Sequence, residues 1–352
     1  MRLSLVTGGS GFIGRHLVQA LAERGERVRI FDLRASADLP CRGGSVEFRQ
    51  GDITDRAAVE RAMEGAERVF HLAADPNLWR RDKSSFERIN LGGTENILAA
   101  AERQRPDRVV YTSTESILAG LRGAGLTEGG MIDENVTLDV ADMPGPYCRS
   151  KFLAERAALR AAARGLPIVV VNPTLPVGPG DSLLTPPSRM LVELLNGRIP
   201  AYLETAFNMI DVRDVALGHL LAAEHGRAGR RYILGGENLT MTGLLAVLGE
   251  LSGRPMPRRR VPYWLALAYS AAEEFIADRI TGKAPRAPLT GVRLARHAMH
   301  FDNGRALTEL GLRPRPLRRS LADAIAWFES QQLLEGRPEG GDRAGAAAQA
   351  GD

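Results

Sequence analysis

The run Leu3-Ser4-Leu5-Val6-Thr7-Gly8-Gly9-Ser10-Gly11-Phe12-Ile13-Gly14 decides how the rest of the chain is read. Leu3 to Val6 has the apolar character of a buried strand, and Ile13, Leu17, Ala20 and Leu21 recur at helical spacing, so the glycines fall where strand turns into helix. That is a phosphate-binding position. Gly8 allows a tight turn, Gly11 lets the backbone approach a pyrophosphate, and Gly14 lets helix and strand pack closely. The first turn of the helix, with Phe12 and Ile13, adds free N–H donors and a partial positive charge.

The next segment, Arg27-Val28-Arg29-Ile30-Phe31, predicts a second strand ending at Asp32. Asp32 stands about 20 residues past the glycine turn, where a dinucleotide fold puts the acid that binds the adenosine ribose. A carboxylate there accepts hydrogen bonds from ribose hydroxyls and repels a 2′-phosphate, which favours NAD over NADP. Arg34 argues the other way, because a guanidinium pairs with phosphate. A surface Asp closing a strand is the plain alternative.

Further strands are predicted at Val46-Glu47-Phe48-Arg49, Arg68-Val69-Phe70 and Arg108-Val109-Val110-Tyr111, with helical periodicity between them to about Asn172. Parallel strands joined by helical crossovers give an α/β fold, a right-handed, doubly wound parallel sheet. Ligands then bind beyond the carboxyl ends of the strands, where Gly51-Asp52-Ile53, His71-Leu72-Ala73-Ala74 and Thr112-Ser113-Thr114 fall. Tyr147-Cys148-Arg149-Ser150-Lys151 sets a phenol and an ammonium one helical turn apart on one face. A phenol with a reference pKa near 10 is a weak base at neutral pH, and a neighbouring cation favours its ionised form.

The Gly8-x-x-Gly11-x-x-Gly14 spacing resembles the extended branch of the short-chain dehydrogenase/reductase superfamily, the NAD-dependent epimerase/dehydratase family. The resemblance runs to about residue 330. It implies a Rossmann domain, an NAD cofactor and a catalytic Thr114, Tyr147 and Lys151. Tyr147 exchanges a proton with a carbinol or ketone oxygen, Lys151 also binds the nicotinamide ribose, and Thr114 holds the substrate oxygen, with Ser113 and Ser116 as possible substitutes. It implies cofactor contacts at Asp52, Ile53, Leu72, Ala73, Ala74 and Pro173, and at Asn90 within Asn90-Leu91-Gly92-Gly93-Thr94-Glu95-Asn96. His71 is read as a satisfied core histidine and Cys148 as a packing thiol, since nothing supplies it with a paired base.

The chain has 352 residues, 44% hydrophobic and 25% charged, enough for one large α/β core and a smaller lobe. The expected division is a dinucleotide-binding domain over 1–175, with 211–226 packing back on it, a substrate lobe over 176–210 and 227–330, and a disordered tail over 335–352. Two cysteines are too few for a disulfide framework and fit a reducing compartment. No signal peptide precedes the first strand, and the apolar stretch Val261 to Ala272 is too short to span a bilayer, so a cytoplasmic protein without a membrane span is expected. A net charge of +4, with Arg258-Arg259-Arg260 and Arg318-Arg319 as its clusters, reads as a solvated basic face. Nucleic-acid binding is not expected at 5% aromatic content.

Later segments, Val171-Asn172-Pro173, Gly178-Pro179-Gly180-Asp181, Leu195-Asn196-Gly197-Arg198 and Tyr232-Ile233-Leu234-Gly235-Gly236-Glu237-Asn238, most resemble the hopanoid-associated sugar epimerases. That group lies beside the dihydroflavonol reductase and 3β-hydroxysteroid dehydrogenase branches. The resemblance implies a homodimer and a small-molecule substrate. Sugar-nucleotide epimerases carry an Arg for the diphosphate, and here Phe207 stands at the matching place before Asn208-Met209-Ile210-Asp211. Leu265, Leu267, Tyr269 and Phe275 suggest instead an apolar wall for a terpenoid or steroid-like alcohol, or simply the lobe's own core. Three functions follow: a cofactor-retaining sugar epimerase, a net dehydrogenase or reductase on an apolar alcohol or ketone, and a non-catalytic dinucleotide-sensing protein.

Overall fold

The computed structural model describes residues 1–35, 45–120, 130–296 and 299–336. Cys41 and the predicted tail from residue 337 onward lie outside them. Strands β1 (Leu3–Thr7), β2 (Arg27–Asp32), β3 (Val46–Gln50), β4 (Arg68–His71), β5 (Arg108–Thr112) and β6 (Ile168–Pro173) follow the predicted alternation with helices α1 (Phe12–Glu23), α2 (Arg56–Met63), α3 (Ser84–Phe86), α4 (Gly93–Gln104), α5 (Ser116–Ala119) and α6 (Pro146–Ala163). Beyond them run β7 (Leu175–Val177), α7 (Pro186–Leu195), β8 (Ala201–Tyr202), β9 (Ala206–Asp211), α8 (Val212–His225), β10 (Arg231–Leu234), β11 (Glu237–Thr240), α9 (Met241–Ser252), β12 (Arg259–Arg260), α10 (Tyr263–Ile276), α11 (Leu289–Leu294) and α12 (Leu317–Ser330).

Among the described residues seven parallel strands form one sheet in the order β10-β6-β5-β4-β1-β2-β3. It is the predicted doubly wound sheet, buried on both faces, which explains why β1, β5 and β6 read as nearly continuous apolar runs. One face is covered by α2, α4 and α6 through Val59, Met63, Ile97, Ala101, Ala154 and Ala158. The other is covered by α1 and α8 through Leu17, Leu21, Val215 and Leu220. Chain order reverses between β1 and β4, and this switch point opens a crevice at their carboxyl ends.

Two segments that the sequence reading assigns to the lobe belong with the sheet. β10 is its edge strand, and Ala306, Leu310 and Leu312 pack in the same apolar cluster as α1 and α8. Both are short, and no periodicity distinguishes an edge strand of a large sheet from a strand of a small one. A separate three-stranded sheet, β11-β9-β7, gathers with α7, α9 and α12 around Leu191, Phe207, Met209, Leu244, Leu248, Leu321 and Phe328.

The helical periodicity between β4 and β5 covers a helix that is interrupted. Glu87–Gly92 is π-helical, between α3 and α4. The wider turn carries Asn90 into the interior, where it is 1% exposed.

Candidate active site

The glycine turn forms as its spacing predicts. Gly8 has φ +71°, and a Cβ there would lie 2.7 Å from the Ala73 nitrogen, so the turn presses on the strand end at Leu72 and Ala73. A Cβ at Gly14 would fall 2.1 Å from the Gly8 carbonyl oxygen, so the first turn of α1 closes directly on the loop rather than on the strand. Gly11 differs. Its φ is −77°, and a Cβ would meet just the Gly8 oxygen, at 3.2 Å. Space is therefore left above Gly11, in front of the free N–H groups of Phe12 and Ile13.

Asp32 closes β2 beside this turn. Its carboxylate accepts from the Ser10 amide at 3.0 Å and the Leu33 amide at 2.7 Å, and half-burial nevertheless raises its pKa. Arg34 is exposed two residues further on. Asp52 is exposed at the end of β3 and accepts from the Thr54 amide and hydroxyl, both at 2.8 Å. Ile53 is buried under α4, against Gly93. Leu72, Ala73 and Ala74 continue β4 half-buried along the crevice, with the Ala73 amide donating to Thr7 Oγ1 at 3.2 Å. Pro173 ends β6, and its carbonyl accepts from the Glu115 amide at 3.2 Å.

His71 is a core residue, as expected. Its two ring nitrogens lie 2.8 Å from Thr7 Oγ1 and 3.0 Å from Thr94 Oγ1, and burial lowers its pKa to about 3. Asn90 braces the protein. It accepts from the Asp75 amide at 2.7 Å and donates to Ser150 Oγ at 2.9 Å, which ties the loop after β4 to α6.

The predicted triad converges at the carboxyl edge of β5. Pro146 supplies a fixed φ in the first turn of α6, which presents Tyr147 and Lys151 on the buried side, 9% and 4% exposed. Lys151 Nζ donates to the Thr112 carbonyl at 2.7 Å and lies 4.9 Å from the centroid of the Tyr111 ring. Burial lowers its pKa to about 8, and Glu155, one turn along α6, acts in the opposite sense. The expectation that Lys151 depresses the Tyr147 phenol is corrected. Burial pushes that phenol well above its ordinary range, Glu115 and Cys148 push the same way, and the nearby Thr114 hydroxyl opposes in part. The ammonium is engaged by a backbone carbonyl, and Tyr147 sits in an apolar cluster with Phe86, Met143, Phe152, Met299 and Phe301.

Thr114 is buried and donates to Glu115 Oε2 at 3.0 Å; its oxygen lies 3.1 Å from Ser116 Oγ and accepts from the Ser116 amide at 3.3 Å. Glu115 is the residue that sequence reasoning misses. It is 5% exposed, and burial raises its carboxyl to about 7 despite hydrogen bonds from Thr114 and Ser116. Ser116 separates it from the apolar run Ile117-Leu118-Ala119, and no local pattern in the sequence marks it. Behind the triad, Asn172 donates to the Thr114 carbonyl at 3.1 Å and to Glu155 at 2.8 Å, and Arg231 pairs with Glu155 at 3.4 Å. Cys148 is fully buried, and burial raises its thiol, as fits a packing role.

These residues suit a dinucleotide. Ser10 Oγ, in the glycine turn, and Ser113 Oγ, beside Thr114, are buried hydroxyls that meet no partner among the described residues. Ser10 adjoins Gly11 and Ser113 adjoins Thr114. Asp32 and Lys151 carry the groups that could hold the two riboses.

A family model described as the NAD dependent epimerase/dehydratase family matches residues 4–235. A Synechocystis protein bearing the provisional name dihydroflavonol 4-reductase is 39% identical over 334 residues, 94% of this chain and 95% of its own length. Sterol demethylase protein B of Methylococcus capsulatus is 33% identical, with 94% of this chain and 99% of that protein covered. The crystal structure of gox2253 superposes with a TM-score of 0.81 at 34% identity, covering 95% of this chain and 100% of that one.

Proposed function

The chain belongs to the NAD dependent epimerase/dehydratase family and is an NAD-dependent oxidoreductase of the extended short-chain type, and on that premise we propose that it reduces a ketone to an alcohol on an apolar, terpenoid- or sterol-like substrate. The observation that carries the reading is the setting of Tyr147. Its phenol is buried in one apolar cluster with Phe86, Phe152, Met299 and Phe301, a surround that suits an apolar substrate, and burial shifts it further toward the protonated form that an acid needs. The lobe supports the same substrate class. Phe207 is buried at the place of a diphosphate-gripping Arg, and nearby Arg213 is engaged by Asp211 and Asp323, both at 2.6 Å. The names of the two curated relatives, one a flavonoid reductase and the other a sterol-processing protein, agree with it.

Reduced NAD, when bound, supplies a hydride to the carbonyl carbon. Tyr147 gives its phenolic proton to the carbonyl oxygen as that atom gains charge, a transfer that contributes about 10²–10⁴-fold in rate. Lys151, held by the Thr112 carbonyl, would donate to the nicotinamide ribose. Thr114 orients the substrate oxygen by a hydrogen bond. Glu115 sets which way that hydroxyl points. Protonated, its carboxyl donates to Thr114 Oγ1 and leaves the Thr114 proton for the substrate; ionised, it draws the proton to itself.

The test is a panel of sterol-like and terpenoid ketones beside nucleotide sugars, followed at the nicotinamide absorbance band. Net oxidation of NADH with an apolar ketone supports the reductase. Inversion of a sugar carbinol with no net change in that band makes the chain a cofactor-retaining epimerase and overturns it.

A further inference from the structure

Helix α10 and the π-helical turn after it, Ala277–Thr281, have their polarity reversed. The groups turned toward the protein are polar. Ser270 is fully buried and donates to the Ala287 carbonyl at 2.6 Å, Glu273 accepts from the Ala287 amide at 3.1 Å, and Glu274 accepts from the Leu289 amide at 2.9 Å. Asp278 accepts from Trp79 Nε1 at 2.8 Å, and Lys83 pairs with both Glu274 and Asp278, at 3.3 and 3.1 Å. The outward side carries Trp264, Leu265, Tyr269, Phe275, Ile276 and Ile280, between 44% and 73% exposed. The apolar wall expected at Leu265, Tyr269 and Phe275 therefore exists, but on the outside of the molecule. A helix on a soluble surface normally turns its charges out, and an apolar patch of this extent marks an interaction site.

Charge names the occupant. The acids of the helix are engaged inward, whereas Arg258 and Arg259 before it and Arg279, Lys283 and Arg286 after it are exposed. None of these cations forms a salt bridge with a described carboxylate. We infer that α10 is a membrane-docking helix that lies in the plane of an anionic bilayer, its Trp, Tyr, Phe, Leu and Ile side chains in the headgroup and acyl boundary and the flanking cations on lipid phosphates. A second copy of the chain fits less well, because two-fold pairing of this face would set the same cations against each other. Docking is peripheral: no described helix is long and apolar enough to cross a membrane. Helix α11, which follows α10, packs so closely on the start of α6 that a Cβ at Gly145, two residues before Tyr147, would lie 2.1 Å from Thr290 Oγ1. The docking stands whichever substrate the crevice takes.

The full chain is sedimented with phosphatidylcholine vesicles with and without phosphatidylglycerol, and tryptophan emission is recorded alongside. Binding to the phosphatidylglycerol vesicles with a blue shift from Trp264 is expected. A Trp264→Ser/Phe275→Ser variant should partition at least about tenfold more weakly, and an Arg258→Ser/Arg279→Ser/Lys283→Ser variant should lose the dependence on phosphatidylglycerol. NAD affinity and melting temperature should not change in either, since all five side chains are exposed. Failure of the wild-type chain to bind anionic vesicles overturns the inference, as does a dimer in sedimentation that the Trp264/Phe275 variant abolishes.

Discussion

The proposed chemistry rests on two hydroxyls and the acid beside them. Tyr147→Phe removes the proton donor and leaves the glycine turn untouched, so turnover should fall at least about 10²-fold while NAD affinity, read by calorimetry, stays within experimental error. Unchanged turnover would falsify the acid assignment. Glu115 gives a sharper test because its raised carboxyl has a sign. The folded state binds this proton more tightly than the unfolded chain does, so the contribution to stability is full below the unfolded pKa near 4.5 and is lost as pH rises through about 7. Gln mimics the neutral carboxyl. The melting-temperature difference between wild type and Glu115→Gln should therefore shift in the variant's favour from pH 5 to pH 8, and the variant's reductase activity should lack the decline of the wild type above about pH 7. A difference that is flat with pH sinks the assignment. The part played by Glu115 was not legible beforehand. Thr114, Tyr147 and Lys151 are marked by residue type and order, whereas the state of Glu115 depends on what is packed over it, and no local pattern reports that.

At the scale of elements, the glycine turn separates folding from binding. Gly14→Ala forces a methyl group toward the Gly8 oxygen and should destabilise the protein by roughly 1–3 kcal/mol in urea unfolding. Gly11→Ala has an ordinary φ and little to displace, so stability should hold within about 0.5–1 kcal/mol, the reach of a helix-terminal propensity effect, while NAD affinity drops because the methyl enters the anion cradle. Equal effects of the two on both measurements would refute the division of roles. Strands β1 to β5 were readable, β1, β4 and β5 as apolar runs and β2 and β3 by apolar–polar alternation, each bounded by turn residues. The π-helical turn at Glu87–Gly92 was not, since the sequence there keeps a helical composition and gives no sign that one residue is extra. Helix α10 falls in a stretch read as an apolar wall, and an apolar run does not say which side of it faces inward.

Across the whole molecule, the large sheet and the smaller lobe are joined through Asp211. It ends β9, accepts from the Arg213 amide that opens α8, and pairs with Arg213 and Arg315; Arg213 in turn reaches Asp323 on α12. Burial acts to raise the Asp211 pKa, but the Arg213 hydrogen bonds outweigh it and the net shift is downward. The stabilisation is thus present above the unfolded pKa near 3.9 and disappears as pH falls through the folded value. Asp211→Asn should destabilise the chain by roughly 1–3 kcal/mol at neutral pH, less than a fully buried pair because both arginines are about one-third exposed. Urea midpoints of the two proteins should converge on acidification. A gap that persists at low pH would mean that the side chain acts by shape alone.

Cys148 turns the catalytic helix into its own reporter. The thiol is wholly enclosed beside Tyr147, so an alkylating reagent reaches it when α6 lifts from the sheet. In excess reagent, the alkylation rate of the peptide that contains it follows the population of that opened form. A ligand that binds the closed crevice lowers this population by mass action and slows the labelling in proportion to its occupancy. Candidate substrates whose turnover is too slow to see can thus be ranked by how well they shield one sulfur atom.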